Sequence, residues 1–241
     1  MRAATLISAS GPGGEYTEQV RPIGVSSPRC VIVAHGSGSD GSGYVVERAP
    51  NSGSPAPGGA PALAARAATV DGWCLTAAAF GGGGVDGSSD PAAAADALAT
   101  LAATLADPDS PWGGCTGPPI VVGVSMGFVT ATATLIRHPG LIRGVIGIVP
   151  LISATYTWGL YSTPVPAEVA PYDPETHTAA FTGIPTLVMS MRADLVVDTE
   201  DESHAVAFCD ATGATRWRIG SGGHGMTAVT PSVLRAALAT M

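Results

Sequence analysis

Three residue types that together can cleave an acyl bond follow one another along this chain. They are Ser125, held in Gly123-Val-Ser125-Met-Gly127, Asp194, which closes Ser190-Met-Arg-Ala-Asp194, and His224, in Gly222-Gly-His224-Gly225. A serine hydroxyl is a weak nucleophile at neutral pH. It needs a base to take its proton as it attacks a carbonyl carbon, and the same group can then protonate the leaving group. A carboxylate on the far side of an imidazole fixes its tautomer and stabilises the transient imidazolium. The expected catalytic set is therefore Ser125 as nucleophile, His224 as base and Asp194 as acid, with no metal and no organic cofactor. Asp198 is the alternative acid, four residues further on, where a helix is about to begin.

The Gly-x-Ser-x-Gly pattern is weak when taken alone. In a chain of 241 residues with 32 glycines it arises by chance about 0.3 times, so its context must decide. That context is favourable. Ile120-Val-Val-Gly-Val reads as a strand and Phe128 to Ile136 as a helix, with Ser125 at the sharp turn between them. Such a turn holds the serine in a left-handed conformation, and small residues two positions either side keep strand and helix from colliding.

The other elements must deliver the remaining groups to the same edge. Residues 3–10 and 18–25 read as an antiparallel edge hairpin, with Pro22 tolerable only on an edge strand. Cys30-Val-Ile-Val-Ala34, Trp73 to Phe80, Gly144 to Val149, Ile184 to Arg192 and Ala214 to Ile219 read as further strands. Several are continuous β-branched runs of the kind buried on both faces of a parallel sheet. Helices are expected over 60–70, from the Asp90-Pro91 cap to Leu105, over Thr199 to Asp210 with an acidic first turn, and over Pro231 to Met241. Alternation of strand and helix predicts a mostly parallel sheet with helices on both faces.

The strand at Ala34 runs into His35-Gly-Ser-Gly-Ser-Asp-Gly41. Gly36, Gly38 and Gly41 match the dinucleotide-binding spacing, but residues 57 to 65 hold no Asp or Glu and the glycines lead into a Pro/Gly-rich stretch rather than a helix. A turn of peptide N–H groups facing an oxyanion fits better, with Ser37 and Met126 as the two donors. His35 then positions that turn. His138 marks a helix end, and His177 and His204 read as solvent-facing.

The order serine, carboxylate, histidine, each after a strand, together with the His35-Gly36 turn, resembles the α/β-hydrolase family over almost the entire chain. The resemblance implies a single α/β-hydrolase domain over 1–241 and a serine hydrolase that cleaves carboxylic esters through an acyl-enzyme. Thioester, amide and peracid chemistry use the same parts. Residues 151–183 read as a short cap or a wrapped connection, in which Tyr156, Trp158 and Tyr161 either line an acyl pocket or pack against the sheet edge. The Gly/Pro stretch from Ser37 to Gly59 is a second flap candidate. The alternative function is an interaction module of a larger assembly, such as a virion component, built on the same fold.

Composition narrows the classes further. All 11 basic residues are arginine, which excludes a P-loop lysine, a Schiff base and a Ser-Lys dyad. A net charge of -8 argues against a nucleic-acid backbone as partner, leaving a small-molecule or lipid-like ester as the expected substrate. No apolar run reaches membrane-spanning length and the start lacks a signal-peptide core, so a cytoplasmic protein is expected, with virion incorporation or non-classical export as other routes. Cys30, Cys74, Cys115 and Cys209 are widely spaced and read as buried free thiols, with a Cys74–Cys115 or other disulfide left open.

Overall fold

The structure is a computed structural model that describes residues 4–10, 16–22, 24–36, 72–78, 90–221, 223–224 and 228–241. Among the described residues eight strands form one sheet: β1 Ala4–Ser10, β2 Tyr16–Pro22, β3 Arg29–Ala34, β4 Trp73–Ala78, β5 Ile120–Val124, β6 Gly144–Ile148, β7 Thr186–Arg192 and β8 Thr215–Ser221. Their spatial order is β1-β2-β4-β3-β5-β6-β7-β8. From β4 to β8 every pairing is parallel, while β1 pairs antiparallel with β2 and β2 antiparallel with β4. The described residues also form the helices α1 Pro91–Ala106, α2 Gly127–Arg137, α3 Ala154–Leu160, α4 Ser203–Thr212 and α5 Pro231–Ala239.

Strands β5 and β6, at the centre of the sheet, are apolar throughout, as fits strands covered on both faces. Along β5, Ile120, Val122 and Val124 point to one side, where they pack with Leu234, Ala237 and Leu238 of α5. Val121 points to the other side, into a layer built from Leu98 and Leu101 of α1, Phe128 and Ala131 of α2, and Phe208 of α4. This alternation of side-chain direction along a strand is what turns a continuous apolar run into two cores. Among the described residues no helix is long and apolar enough to cross a membrane.

Helix α1 starts where Asp90 accepts from the N–H groups of Ala92 and Ala93, both at 3.0 Å, with Pro91 in its first turn. Helix α4 departs from expectation. It begins at Ser203 rather than Thr199, and no acidic residue lies in its first turn. The Asp198 carboxylate accepts from the N–H groups of Thr199, His204 and Ala205, which folds residues 199–202 into a turn ahead of the helix. The expected helix over 60–70 and the last two residues of the strand expected to end at Phe80 lie outside the described residues.

The connection from β6 to β7 is anchored at both ends. Its first half packs Ala154 and Val169 against Met126 and Val129, and its second half stacks Phe181 on Phe128, ring centres 5.5 Å apart. The Asp173 carboxylate ties the halves together by accepting from the Ala154 N–H at 3.1 Å. Burial pushes that carboxyl above its usual range, and the backbone donors from Ala154 and Glu175 oppose the shift.

The cysteine expectation is corrected in part. Cys30 is joined to Cys115, 85 positions away, whereas Cys74 and Cys209 are free and buried. The Cys115 N–H donates to Leu105 and the Thr116 N–H to Pro28, which draws the loop before β5 across the start of β3 and leaves the two Cα atoms 5.7 Å apart. Burial raises the Cys74 thiol, with Arg21 acting against it, and pushes the Cys209 thiol up to about 11.

Candidate active site

The carboxyl ends of β3, β5, β7 and β8 each supply a piece of one constellation, the edge at which parallel sheets commonly bind ligands. Ser125 follows β5 directly, with φ +52. The turn is pinned on both sides: its N–H donates to Ile148 at 3.0 Å, and its carbonyl accepts from Phe128 at 3.0 Å and Leu151 at 3.1 Å. A non-glycine residue in this conformation is strained, so the surrounding hydrogen bonds must hold it there.

The two flanking glycines have a steric cause. A Cβ on Gly123 would stand 2.7 Å from both the Gly127 carbonyl oxygen and the Phe128 Cα, and one on Gly127 would overlap the Ala34 carbonyl. These are backbone atoms that cannot rotate away. Gly127→Ala is accordingly expected to lower stability by about 3 kcal/mol, the upper end of ordinary overpacking, read from the urea midpoint at unchanged m-value. A substitution that left the midpoint alone would show that α2 can slide away from β3.

His224 lies three residues beyond the end of β8, and Asp194 two beyond the end of β7. His224 Nδ1 is 2.9 Å from Asp194 Oδ2 and 3.1 Å from Oδ1, and its Nε2 is 3.0 Å from Ser125 Oγ. A carboxylate only accepts, so Nδ1 carries the proton. The lone pair of Nε2 then faces the serine, whose O–H donates to it. Asp194 is 2% exposed, while the His224 side chain is 25% exposed. Asp194 is thus shielded, and the His224 ring stands between it and solvent. Asp194 also accepts from the Val196 N–H at 3.3 Å, which orients its carboxylate.

Of the two candidate acids, Asp194 meets His224, and Asp198 is occupied by the backbone N–H groups at the start of α4. Behind them lies a small cavity walled by Val149, Ile152, Ser190, Met191, Asp194 and Asp198.

Met126 follows Ser125 at the start of α2, with helical φ and ψ of -56° and -27°. Among the described residues its N–H has no hydrogen-bond partner. Gly36, after β3, presses against the serine: a Cβ there would lie 3.2 Å from that of Ser125 and 3.3 Å from the Val124 carbonyl. The His35 ring donates from Nδ1 to the Gly36 carbonyl at 3.0 Å. Ser37, the other expected N–H donor, and the Ser37–Gly59 flap candidate lie outside the described residues.

The three aromatic candidates separate. Trp158 is half-buried against the apolar cluster that contains Met126, Val129 and Val197. Tyr156 sits over His204 with ring centres 5.0 Å apart. Its hydroxyl is held above the usual range by burial first and then by the charges of Asp198 and Asp194, which places it on the acid side of the constellation. Tyr161 is 66% exposed at the end of α3. The remaining histidines are engaged rather than free in solvent: His204 Nδ1 pairs with Glu175 at 2.8 Å, His177 donates to the Asp173 carbonyl at 3.0 Å, and His138 pairs with Asp96 at 2.8 Å.

Among the described residues, one group could hold a metal ion: Cys30, Cys74 and Cys115. Two of these are joined in the disulfide, leaving one thiol, and Cys30 lies at the start of β3, the opposite end of the strand from the serine.

No protein-family model matches the sequence, and no curated protein sequence matches it. Solved structures do match in fold. The fluorophosphonate-binding serine hydrolase F of Staphylococcus aureus superposes with a TM-score of 0.68 at 13% identity, over 99% of this chain and 98% of the other. An esterase of Pyrococcus furiosus gives 0.64 at 13% identity, over 99% and 90%. Puromycin hydrolase also gives 0.64, at 15% identity; 98% of this chain is covered, but it spans only 38% of that protein.

Proposed function

From the α/β-hydrolase fold that this chain has, we propose that it is a serine hydrolase acting on carboxylic esters through an acyl-enzyme. The observation that carries the proposal is the continuous hydrogen-bonded chain Ser125 Oγ, His224 and Asp194, with 3.0 and 2.9 Å links. In this reading His224 Nε2 takes the serine proton as Oγ attacks the acyl carbon, and the tetrahedral oxyanion is met by the Met126 N–H and by the N–H of Ser37, the residue that follows Gly36 in sequence. Each donor contributes roughly 10²–10³ in turnover. Collapse expels the alcohol with the proton from His224, and water repeats the sequence to release the acid. Asp194 carries negative charge throughout and stabilises the imidazolium.

The aromatic side chains take different parts. Trp158, packed on the cluster that contains Met126, and Tyr156, near Asp194 and Asp198, fit the walls of the substrate pocket, and Tyr161 fits its rim. The descriptions of the similar structures, two hydrolases and an esterase, support the general class of reaction.

The deciding experiment is covalent labelling with an alkyl fluorophosphonate, followed by peptide mapping. Stoichiometric modification of Ser125, with parallel loss of p-nitrophenyl acetate hydrolysis, is the expected result. Folded protein that neither labels nor hydrolyses short esters would instead favour an interaction module built on this fold.

A further inference from the structure

Glu202 is a fully buried carboxylate outside the Ser125–His224–Asp194 chain, and its backbone is strained. Its side chain is 0% exposed and its φ is +63. It stands at the head of α4 yet caps nothing there with its side chain. Instead the carboxylate reaches back to the sheet. Oε1 accepts from the Ser190 hydroxyl of β7 at 2.5 Å and faces Arg216 Nη1 of β8 at 3.3 Å, and Oε2 pairs with Arg218 of β8. These partners outweigh burial and hold the Glu202 carboxyl below its usual range, so it is charged at neutral pH.

The place it bridges is irregular. Ser190 is opposite Arg218, but Met191 is opposite Gly220, so Ile219 is an extra residue on β8. Such a bulge bends its strand and re-aims the residues beyond it. On β7 the chain then reaches Asp194, four residues past Ser190, and on β8 it reaches His224, five past Ile219. The Asp194–His224 contact is therefore made just past two strand ends that stay paired beyond the bulge, Met191 with Gly220 and Arg192 with Ser221, and Glu202 pairs with a residue on each strand at the bulge itself.

We propose that Glu202 is a positioning residue: its carboxylate clamps the β7–β8 bulge and so sets the distance and angle at which Asp194 meets His224. As a determinant of turnover this rests on the serine-hydrolase reading above. As a determinant of geometry it does not. A misplacement of the imidazole by about 1 Å costs on the order of 10²-fold in rate, while substrate binding, which does not depend on that angle, stays as it was.

The test uses Glu202→Gln, which keeps the shape but not the charge, and Ser190→Ala, which cuts only the β7 link and leaves Glu202 with its arginines. Two readouts are taken well below each variant's Tm: kcat and KM for p-nitrophenyl acetate, and the downfield proton resonance of the His224 Nδ1–H bonded to Asp194. The expected result is a fall in kcat of roughly 10–100-fold with KM within about twofold, accompanied by a shifted or broadened Nδ1–H resonance. If Glu202→Gln does not fold, Ser190→Ala carries the test. Variants that lose only Tm, with kcat and resonance unchanged, would make Glu202 a structural ion-pair partner and overturn the proposal. If the wild-type protein hydrolyses no ester, a perturbed resonance in the variants still supports the clamp, and an unperturbed one overturns it.

Discussion

Ser125→Ala is expected to lower kcat for a short p-nitrophenyl ester by about 10⁶-fold, equivalent to about 8 kcal/mol of transition-state stabilisation. The substitution removes only Oγ. The left-handed turn, its hydrogen bonds from Phe128 and Leu151 and the Met126 N–H remain, so the oxyanion donors should leave a residual rate of about 10³–10⁴ over water. Adding Asp194→Asn or His224→Ala to Ser125→Ala is expected to cost little more, because residues acting as one unit are not additive. The measurement is kcat/KM on protein whose thermal transition matches wild type. A Ser125→Ala variant within tenfold of wild type would remove the serine from the chemistry.

The second large effect separates two aspartates four residues apart. Asp194→Asn is expected to lower kcat by about 10⁴-fold. Its carboxylate accepts the Nδ1 proton of His224 at 2.9 Å and is shielded from solvent, so an amide there loses the charge that stabilises imidazolium and can hold the wrong tautomer. Asp198→Asn should behave differently. Its oxygens serve the N–H groups of Thr199, His204 and Ala205, and an amide can accept at only one oxygen. The expected loss is about 1 kcal/mol of stability, with kcat reduced by less than about tenfold, at least three orders of magnitude less than at Asp194. Paired measurement of kcat and the urea midpoint decides the matter: equal kcat losses at both positions would mean the acid is shared between them.

Much of this site was legible in the sequence because strand ends are written locally. The strand runs show where β5, β7 and β8 stop, and the one to three residues beyond each lie at the carboxyl edge of the sheet. That is how Ser125, Asp194 and His224 could be named, and why Gly123 and Gly127 could be read as clearance for the turn. Asp90 with Pro91 was equally local, since a cap and its helix share four consecutive residues.

Other features depended on residues far apart in the chain. Asp194 and Asp198 have the same chemistry, and the choice turns on where the β8 loop brings His224. The start of α4 was misplaced because Asp198 claims N–H groups six and seven positions ahead, a contact that composition does not encode. Cys30 and Cys115 meet because the loop before β5 is fastened to Pro28 and Leu105. Tyr156, Trp158 and Tyr161 lie within six residues yet differ in surroundings, since a short helix and its end point them toward His204, toward the cluster containing Met126 and toward solvent.

Glu202 makes the same division plain. In Asp198-Thr-Glu-Asp-Glu202 it is one acid among several, and nothing local marks it out. Only the tertiary structure buries it, by folding the turn ahead of α4 under two strands and setting Ser190, Arg216 and Arg218 around it. The sequence alone determined which side chains stand at the ends of the parallel strands, because strand periodicity and turn glycines act within a few residues. Which of those side chains touch, and what holds them at that angle, was decided by packing between segments remote in the chain.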